Sequence, residues 1–180
     1  MDTTIFRVGA RNEERRRELN IRPEQILLLY VGRFAQEKNL YTLVRAFELI
    51  EDAWPGKYRL HFIGEGSLGT DLIRISRGQP SVTVQPYVSD PNELARNYRA
   101  ADIFVHPGIH ETFGLVTLEA HACALPVIGI RGTFMDRLAF NGLDHWAAEN
   151  SAESLAIAIL KFSTCRNGGF RMTHEQLSCG

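Results

Sequence analysis

The 180 residues carry a net charge of only −1, three cysteines and no apolar run approaching the roughly 20 residues that cross a bilayer. Each scarcity excludes something. Without an excess of one sign, no overall field gathers nucleic acid or an anionic membrane. Cys123, Cys165 and Cys179 are odd in number and lack metal-ligand spacing, which argues against a disulfide scaffold and suits reduced thiols. The opening stretch "MDTTIFRVGARNEERRREL" has no apolar segment of the kind a secretory leader carries. What is abundant, 44% hydrophobic residues against 23% charged, is enough to bury a substantial core. These features predict a soluble, cytoplasmic protein.

Short apolar runs alternate with helical patterns along most of the chain. "ILLLYVG" (26–32), "RLHFIG" (59–64), "VTV" (82–84), "DIFVHP" (102–107) and "PVIGI" (126–130) are bounded by Gly or Pro, as buried strands are. Between them "NLYTLVRAFELI", "LGTDLIRIS", "PNELARNYRAA" and "TFGLVTLEAHACA" place apolar residues at helical spacing. This alternation predicts an α/β fold, a doubly wound, Rossmann-like parallel sheet with helices on both faces. Ligands of such sheets bind beyond the carboxyl ends of the strands. Later in the chain, "TFMDRLAFNG" reads as a short helix closed by Asn-Gly. "SAESLAIAILKFS" reads as an amphipathic helix opened by Ser151, and residues 164–180 as a turn followed by a weak final helix or a loose tail.

The stretch "GEGSLG" (64–69) has the G-x-G-x-x-G spacing of a dinucleotide-binding turn. Its context argues against that chemistry. It follows the second strand rather than the first, and no acid ends the next strand, "VTVQP", where a ribose ligand is needed. Asp90, at a suitable distance, sits in "SDPNE" and reads as the cap of the following helix. Gly64 and Gly66 are explained by a tight turn alone, so NAD-dependent oxidoreduction is the weaker alternative.

Charge collects in two other turns. "GRFAQEKNL" places Arg33 and Lys38 after the first strand, where a phosphate gains charge-assisted hydrogen bonds. In "HPGIHETFGLVTLEAHACALPVI", Pro107 and Gly108 stop a strand. A helix is expected from Thr112 or Phe113, which aims the amides of Phe113, Gly114 and Leu115 at an anion. Glu111 and Glu119 are eight residues apart, a rise of about 12 Å and a rotation of about 80° on a helix. Two carboxylates so placed flank one extended ligand and do not converge on one bond as those of glycosidases do. Glu119, on a helix expected to be mostly buried, needs a hydroxyl or amide partner. The scattered His106, His110 and His121 show no metal spacing, and none is expected.

"DTTIF", "YVGRFAQEKNLYTLVRAFELI", "FIGEGSL" and "ELARNYRAADIFVHPGIHETFGLVTLEAHACALPVI" together resemble the C-terminal half of a family 4 glycosyltransferase, a retaining enzyme of GT-B fold. The likeness covers roughly residues 2–160, and its centre is the E-x7-E pattern of Glu111 and Glu119. It implies that Arg33 and Lys38, in the turn opened by Gly32, bind the donor diphosphate. Glu111 contacts the donor sugar, with Thr112, Phe113, Gly114 and Leu115 near sugar and phosphate. Glu119 holds the ribose, Gly64, Glu65 and Gly66 match a family glycine turn, and Tyr87 and Val88 neighbour the base. The implied donor is a UDP-, GDP- or ADP-linked sugar, used without a metal or other cofactor.

Two departures bear on the reading. "RGTFMDRL" replaces the family's Gly-Gly-x-Pro-Glu stretch, and no acceptor role is carried onto it. The family's N-terminal acceptor domain has no match here. The expected organisation is therefore one donor-binding domain over 1–180: a junction segment (2–20), a core (21–163) and a tail (164–180). Such a half is expected to be inactive alone, its membrane contact confined to the absent half. A nucleotide-sugar-binding module without transfer chemistry is the other alternative.

Overall fold

The computed structural model describes residues 1–109, 114–132 and 145–166. Within them six strands form one parallel sheet: β1 (Ile26–Val31), β2 (Tyr58–Ile63), β3 (Val82–Gln85), β4 (Ile103–His106), β5 (Val127–Ile130) and β6 (His145–Ala147). The helices are α1 (Glu13–Glu18), α2 (Leu40–Ala53), α3 (Gly69–Gly78), α4 (Pro91–Ala100), α5 (Leu115–Ala122) and α6 (Ala152–Arg166).

Strand order is β3-β2-β1-β4-β5-β6, so the order reverses at β1, which pairs with β2 on one side and β4 on the other. Reversal opens a crevice at the carboxyl edge between β1 and β4, because the connections from these strands leave toward opposite faces. The side-chain period of two carries this out in β1. Leu28 and Tyr30 join the core that packs α2, α3 and α6, while Leu27, Leu29 and Val31 join the core that packs α4 and α5. A strand covered on both faces has no polar alternate positions, which is why "ILLLYV" reads as one continuous apolar run.

Local signals fix the helix ends. The Asp90 carboxylate accepts the Asn92 N–H at 2.9 Å and Pro91 occupies the first turn of α4, as its cap-like sequence predicts. Ser151 Oγ accepts the Ser154 N–H at 3.1 Å to open α6, which buries Leu155, Ile159 and Phe162 at helical spacing. That helix runs to Arg166, past the expected end of the core at 163. The tail after 166 and the short helix expected in "TFMDRLAFNG" lie outside the described residues. The sixth strand was not expected at all, since "HWA" is too short to form an apolar run. Among the described residues no helix is long and apolar enough to cross a membrane.

The amino edge of the sheet is locked by a buried ion pair. Arg16, 1% exposed, donates to Asp102 Oδ2 at 3.0 Å and to the carbonyls of Ala100 and Gln25 at 2.8 and 2.7 Å. The same carboxylate accepts the Leu27 N–H at 2.9 Å. The starts of β1 and β4 are thereby joined directly beneath the crevice. Segment 2–20, expected only as a junction, thus carries α1 and supplies a buried residue to the frame.

A second polar network crosses the sheet. His61 on β2 bonds Thr83 Oγ1 at 2.8 Å and Gln85 Oε1 at 3.2 Å, and Arg15 of α1 donates to Gln85 Oε1 and to Asn97 Oδ1. Burial, with Arg15 nearby, holds the His61 imidazole down at about 4, against a bond to Gln85 that favours the charged form. The unfolded chain takes up this proton near 6.5, so between 6.5 and about 4 it binds more protons than the folded chain. Stability from this group is therefore full above that window and is lost as pH falls through it. Glu119, whose carboxyl is raised by burial, works in the opposite direction, so the effect is read against a variant. Urea unfolding is expected to show wild type losing about 2 kcal/mol more than His61→Gln between pH 7 and pH 5. Equal losses in the two proteins contradict a neutral, buried His61.

Candidate functional site

The turns after β1 and β2 are held together mainly by backbone, with Ser67 Oγ donating to the Phe34 carbonyl at 3.4 Å beside it. Gly32 N–H donates to the Ile63 carbonyl at 3.0 Å, Phe34 N–H to the Glu65 carbonyl at 2.8 Å, and Leu68 N–H to the Phe34 carbonyl at 2.9 Å. Gly64 has φ +150° and a Cβ there would lie 2.0 Å from the Gly32 oxygen; at Gly66, with φ +148°, it would lie 2.5 Å from the Phe34 oxygen. Gly69 differs. Its φ is ordinary, and a Cβ would meet nothing nearer than Phe34 Cδ2 at 3.8 Å. In a dinucleotide turn the third glycine serves close helix–strand packing, so this pattern departs from the fingerprint at that position. Its first two glycines serve the crossing of the two turns.

That crossing arranges the first cationic turn. Phe34, 1% exposed, is packed edge-on to Phe62 with ring centroids 6.3 Å apart. Its neighbour Arg33 therefore faces outward and meets Glu37 at 2.6 Å, with 69% of the side chain exposed. An ion pair so exposed contributes little, and the guanidinium is free to be recruited by a stronger anion at small cost. Lys38 ends a 3-10 turn over Gln36–Lys38 and is half-buried. Asn39 follows in the left-handed conformation (φ 56°). Its Nδ2 donates to the Pro107 carbonyl at 3.1 Å and to Asn150 Oδ1 at 2.8 Å, while its Oδ1 accepts from Thr42 Oγ1 at 2.7 Å. One side chain thus ties the turn after β1 to the turn after β4 and to the approach to α6.

Across the crevice, Pro107 and Gly108 are buried, and a Cβ on Gly108 would stand 3.8 Å from Lys38 Cα. Glu111, Thr112 and Phe113 lie outside the described residues. Gly114 is the N-cap of α5, with φ 55°, and its carbonyl accepts from Thr117 N–H at 2.8 Å and Leu118 N–H at 3.1 Å. The helix therefore starts at Leu115 and not at Thr112 or Phe113, because a left-handed residue stands outside a right-handed helix. The first-turn amides are those of Leu115, Val116 and Thr117. Leu115 is 56% exposed, so this end of α5 faces solvent instead of being mostly buried.

Glu119 has the hydroxyl partner its burial demands. Tyr98 of α4 donates to Glu119 Oε2 at 3.0 Å. Burial pushes the Glu119 carboxyl up, and this hydrogen bond opposes the shift. Desolvation and the neighbouring carboxylate hold the Tyr98 phenol well above its ordinary range. After β3, Tyr87 is exposed while Val88 packs on the α4–α5 side of the core. Glu65 points into solvent at the tip of the glycine turn.

At the carboxyl edge the Gly32–Asn39 turn thus meets the turn after β4 at Pro107 and Gly108, with the Gly64–Gly66 turn bonded to the first of these and Glu119 on α5, the helix that follows the second. Sequence reasoning missed Asn39 and Tyr98. For Asn39 a signal existed, since Asn directly before a helix is a residue that tolerates the left-handed conformation.

Residues 11–175 match the family model described as Glycosyl transferases group 1. The sulfoquinovosyl transferase SQD2 of Arabidopsis thaliana is 36% identical over 132 residues, 73% of this chain and 24% of that protein. The chain thus spans about a quarter of that relative's length. Among solved structures, the C-terminal domain of a glycosyl transferase group 1 family protein from Francisella tularensis superposes with TM-score 0.76 at 21% identity, covering 91% of this chain and 88% of that one. The Anabaena protein HepE, solved with UDP and glucose, superposes with TM-score 0.74 at 19% identity, covering 89% of this chain and 45% of that one. Both are likenesses of fold.

The different duties of the glycines predict an asymmetric mutational outcome. Gly64→Ala is expected to cost about 3 kcal/mol or more in urea unfolding, from a collision with backbone in a conformation that L-residues avoid. Gly69→Ala, at the first position of α3, is expected to be neutral within about 0.5 kcal/mol or slightly stabilising. Equal costs at both positions contradict this division.

Proposed function

Because the chain belongs to the group 1 glycosyl transferases, we propose that it is the donor-binding half of a retaining enzyme of family 4, which moves a hexosyl group from a nucleoside-diphosphate sugar to an acceptor. The observation that carries this reading is the meeting of two turns at the sheet's switch point. The cationic turn after β1 is joined through Asn39 to Pro107, in the turn after β4 that leads to α5, at the point where the strand order reverses. That is where a diphosphate gains most from fixed charge and from open amides.

On this reading Arg33 and Lys38 engage the diphosphate with the amides at the start of α5. Gly32 and Gly114 let it approach the backbone. Glu119 accepts from the ribose hydroxyls, and Tyr87 and Val88 border the base. Glu111 is assigned to the donor sugar, with Thr112 and Phe113 near it. Gly64, Glu65 and Gly66 form the floor of the site, Glu65 reaching toward the ligand from an exposed position. The base is uracil, guanine or adenine.

Breaking the bond between the anomeric carbon and the diphosphate leaves negative charge on the departing oxygen. On this reading Arg33, Lys38 and the α5 amides receive that charge as groups already in position, which is electrostatic preorganisation, and the step is assigned no metal. The acceptor and its binding groups belong to an N-terminal half. This chain by itself binds donor and transfers sugar slowly or not at all, and the full enzyme works in the cytoplasm or at the cytoplasmic face of a membrane.

Calorimetric titration with UDP, GDP, ADP and NAD tests the assignment. One nucleoside diphosphate is expected to bind, with affinity falling about tenfold in each of Arg33→Ala and Glu119→Ala as charge-assisted hydrogen bonds are lost. Binding of NAD alone, or a nucleoside diphosphate bound equally by wild type and both variants, contradicts it.

A further inference from the structure

Glu119 lies on α5, but its carboxylate is held from α4. Among the described residues Tyr98 is its hydrogen-bond donor, through Oε2 at 3.0 Å. The Tyr98 ring has no room to turn, being 1% exposed. Phe104 of β4 lies 5.8 Å away on one side, and Phe6 approaches edge-on at 6.1 Å with an interplanar angle of 71°. Phe6, itself 4% exposed, is fastened in turn. Its N–H donates to the Asp2 carbonyl at 3.0 Å, the Asp2 carboxylate accepts from Thr4 N–H and Oγ1 at 2.8 and 2.7 Å, and Arg99 Nη2 donates to the Ile5 carbonyl at 2.6 Å. A capped turn in the N-terminal segment thus ends in a ring that packs the phenol.

A carboxylate meant to accept from two adjacent ligand hydroxyls needs one rotamer and a full negative charge. Half-buried on α5, Glu119 has neither by default: its side chain has three torsions, and burial favours the protonated acid. A donor fixed at Oε2 supplies both, since it restricts the torsions and favours the ionised form. It also leaves Oε1 and the remaining lone pair of Oε2 as acceptors.

We propose that Tyr98 is the positioning residue of the ribose-binding carboxylate, and that Phe6 of the N-terminal segment keeps Tyr98 in place, so that discrimination of ribonucleotides from deoxyribonucleotides passes through this pair. The proposal rests on the assignment of Glu119 to the nucleotide ribose. Phe6 and Tyr98 do not touch the ligand in it. Their influence is confined to the carboxylate, and the diphosphate contacts are left intact.

The test titrates wild type, Tyr98→Phe, Phe6→Leu and Glu119→Ala with the nucleoside diphosphate that binds and with its 2′- and 3′-deoxy counterparts. Tyr98→Phe keeps the ring and removes one hydroxyl, so it is expected to fold as wild type. Its preference for the ribonucleotide is expected to fall about three- to tenfold, the loss of one hydrogen bond, with little change for the deoxy ligands. Phe6→Leu is expected to lose part of the same preference, and Glu119→Ala all of it. A second reading is direct: the carbon-13 resonance of the Glu119 carboxyl, followed against pH without ligand, is expected to titrate higher in Tyr98→Phe. Among the described residues, the other titratable groups interacting with this carboxyl are the Cys123 thiol at the C-cap of α5 and the amino group of Met1, both unchanged in the variant. If Glu119→Ala abolishes the preference while Tyr98→Phe keeps it and titrates as wild type, the positioning role is overturned and the ribose assignment stands. If wild type shows no preference, or Glu119→Ala retains it, the ribose assignment itself fails and takes the proposal with it.

Discussion

The Gly32 carbonyl oxygen occupies the space a Cβ on Gly64 would need, 2.0 Å away, and the Phe34 oxygen stands 2.5 Å from the same point on Gly66. These two approaches allow the turn after β2 to run directly under the turn after β1, with three backbone hydrogen bonds between them. The rest of the carboxyl edge follows from that. With the backbone fixed, Phe34 must turn inward onto Phe62, Arg33 must turn outward, and the chain reaches Asn39 with its side chain in range of Pro107. A side chain at either glycine would part the turns and release the cationic loop from its support.

The opposite edge explains why the crevice has a fixed width. Arg16 and Asp102 join the starts of β1 and β4, and Asn39 joins the turns that leave their other ends. The buried pair at the amino edge carries a desolvation penalty, offset here by three carbonyl acceptors on the guanidinium and a backbone amide on the carboxylate. Two strands pinned at both ends present their loops to a ligand at a set separation, which is the arrangement preorganised electrostatics requires. The N-terminal segment contributes twice: α1 supplies Arg16 to the amino edge, and Phe6 packs against Tyr98, the donor to Glu119.

Much of this was legible in the sequence, for reasons that differ by element. Each of the first five strands is an apolar run bounded by Gly or Pro, and burial on both faces makes such runs conspicuous. Asp90 announced α4 because a capping carboxylate followed by Pro has few other uses. The start of α5 was misplaced because Gly114 is compatible both with a helix opened close to a ligand and with a left-handed cap, and only the backbone distinguishes them. β6 escaped because three residues carry no periodicity. Tyr98 stands in "PNELARNYRAA" with nothing local to single it out; its hydrogen bond to Glu119 depends on how α4 and α5 pack, which spacing along one helix does not encode.

The account stands or falls on where a diphosphate lies against this edge. A crystal structure of the chain soaked with the nucleoside diphosphate it binds locates the phosphates directly. The account predicts both phosphates between the Gly32–Lys38 turn and the start of α5, within hydrogen-bonding distance of Arg33, Lys38 and the Leu115 or Val116 amide, and the ribose on Glu119. Phosphates seated instead on the amides of Gly64–Gly69 at the start of α3, with the crevice between β1 and β4 empty, contradict it and return those glycines to the ligand-binding role that their spacing suggests.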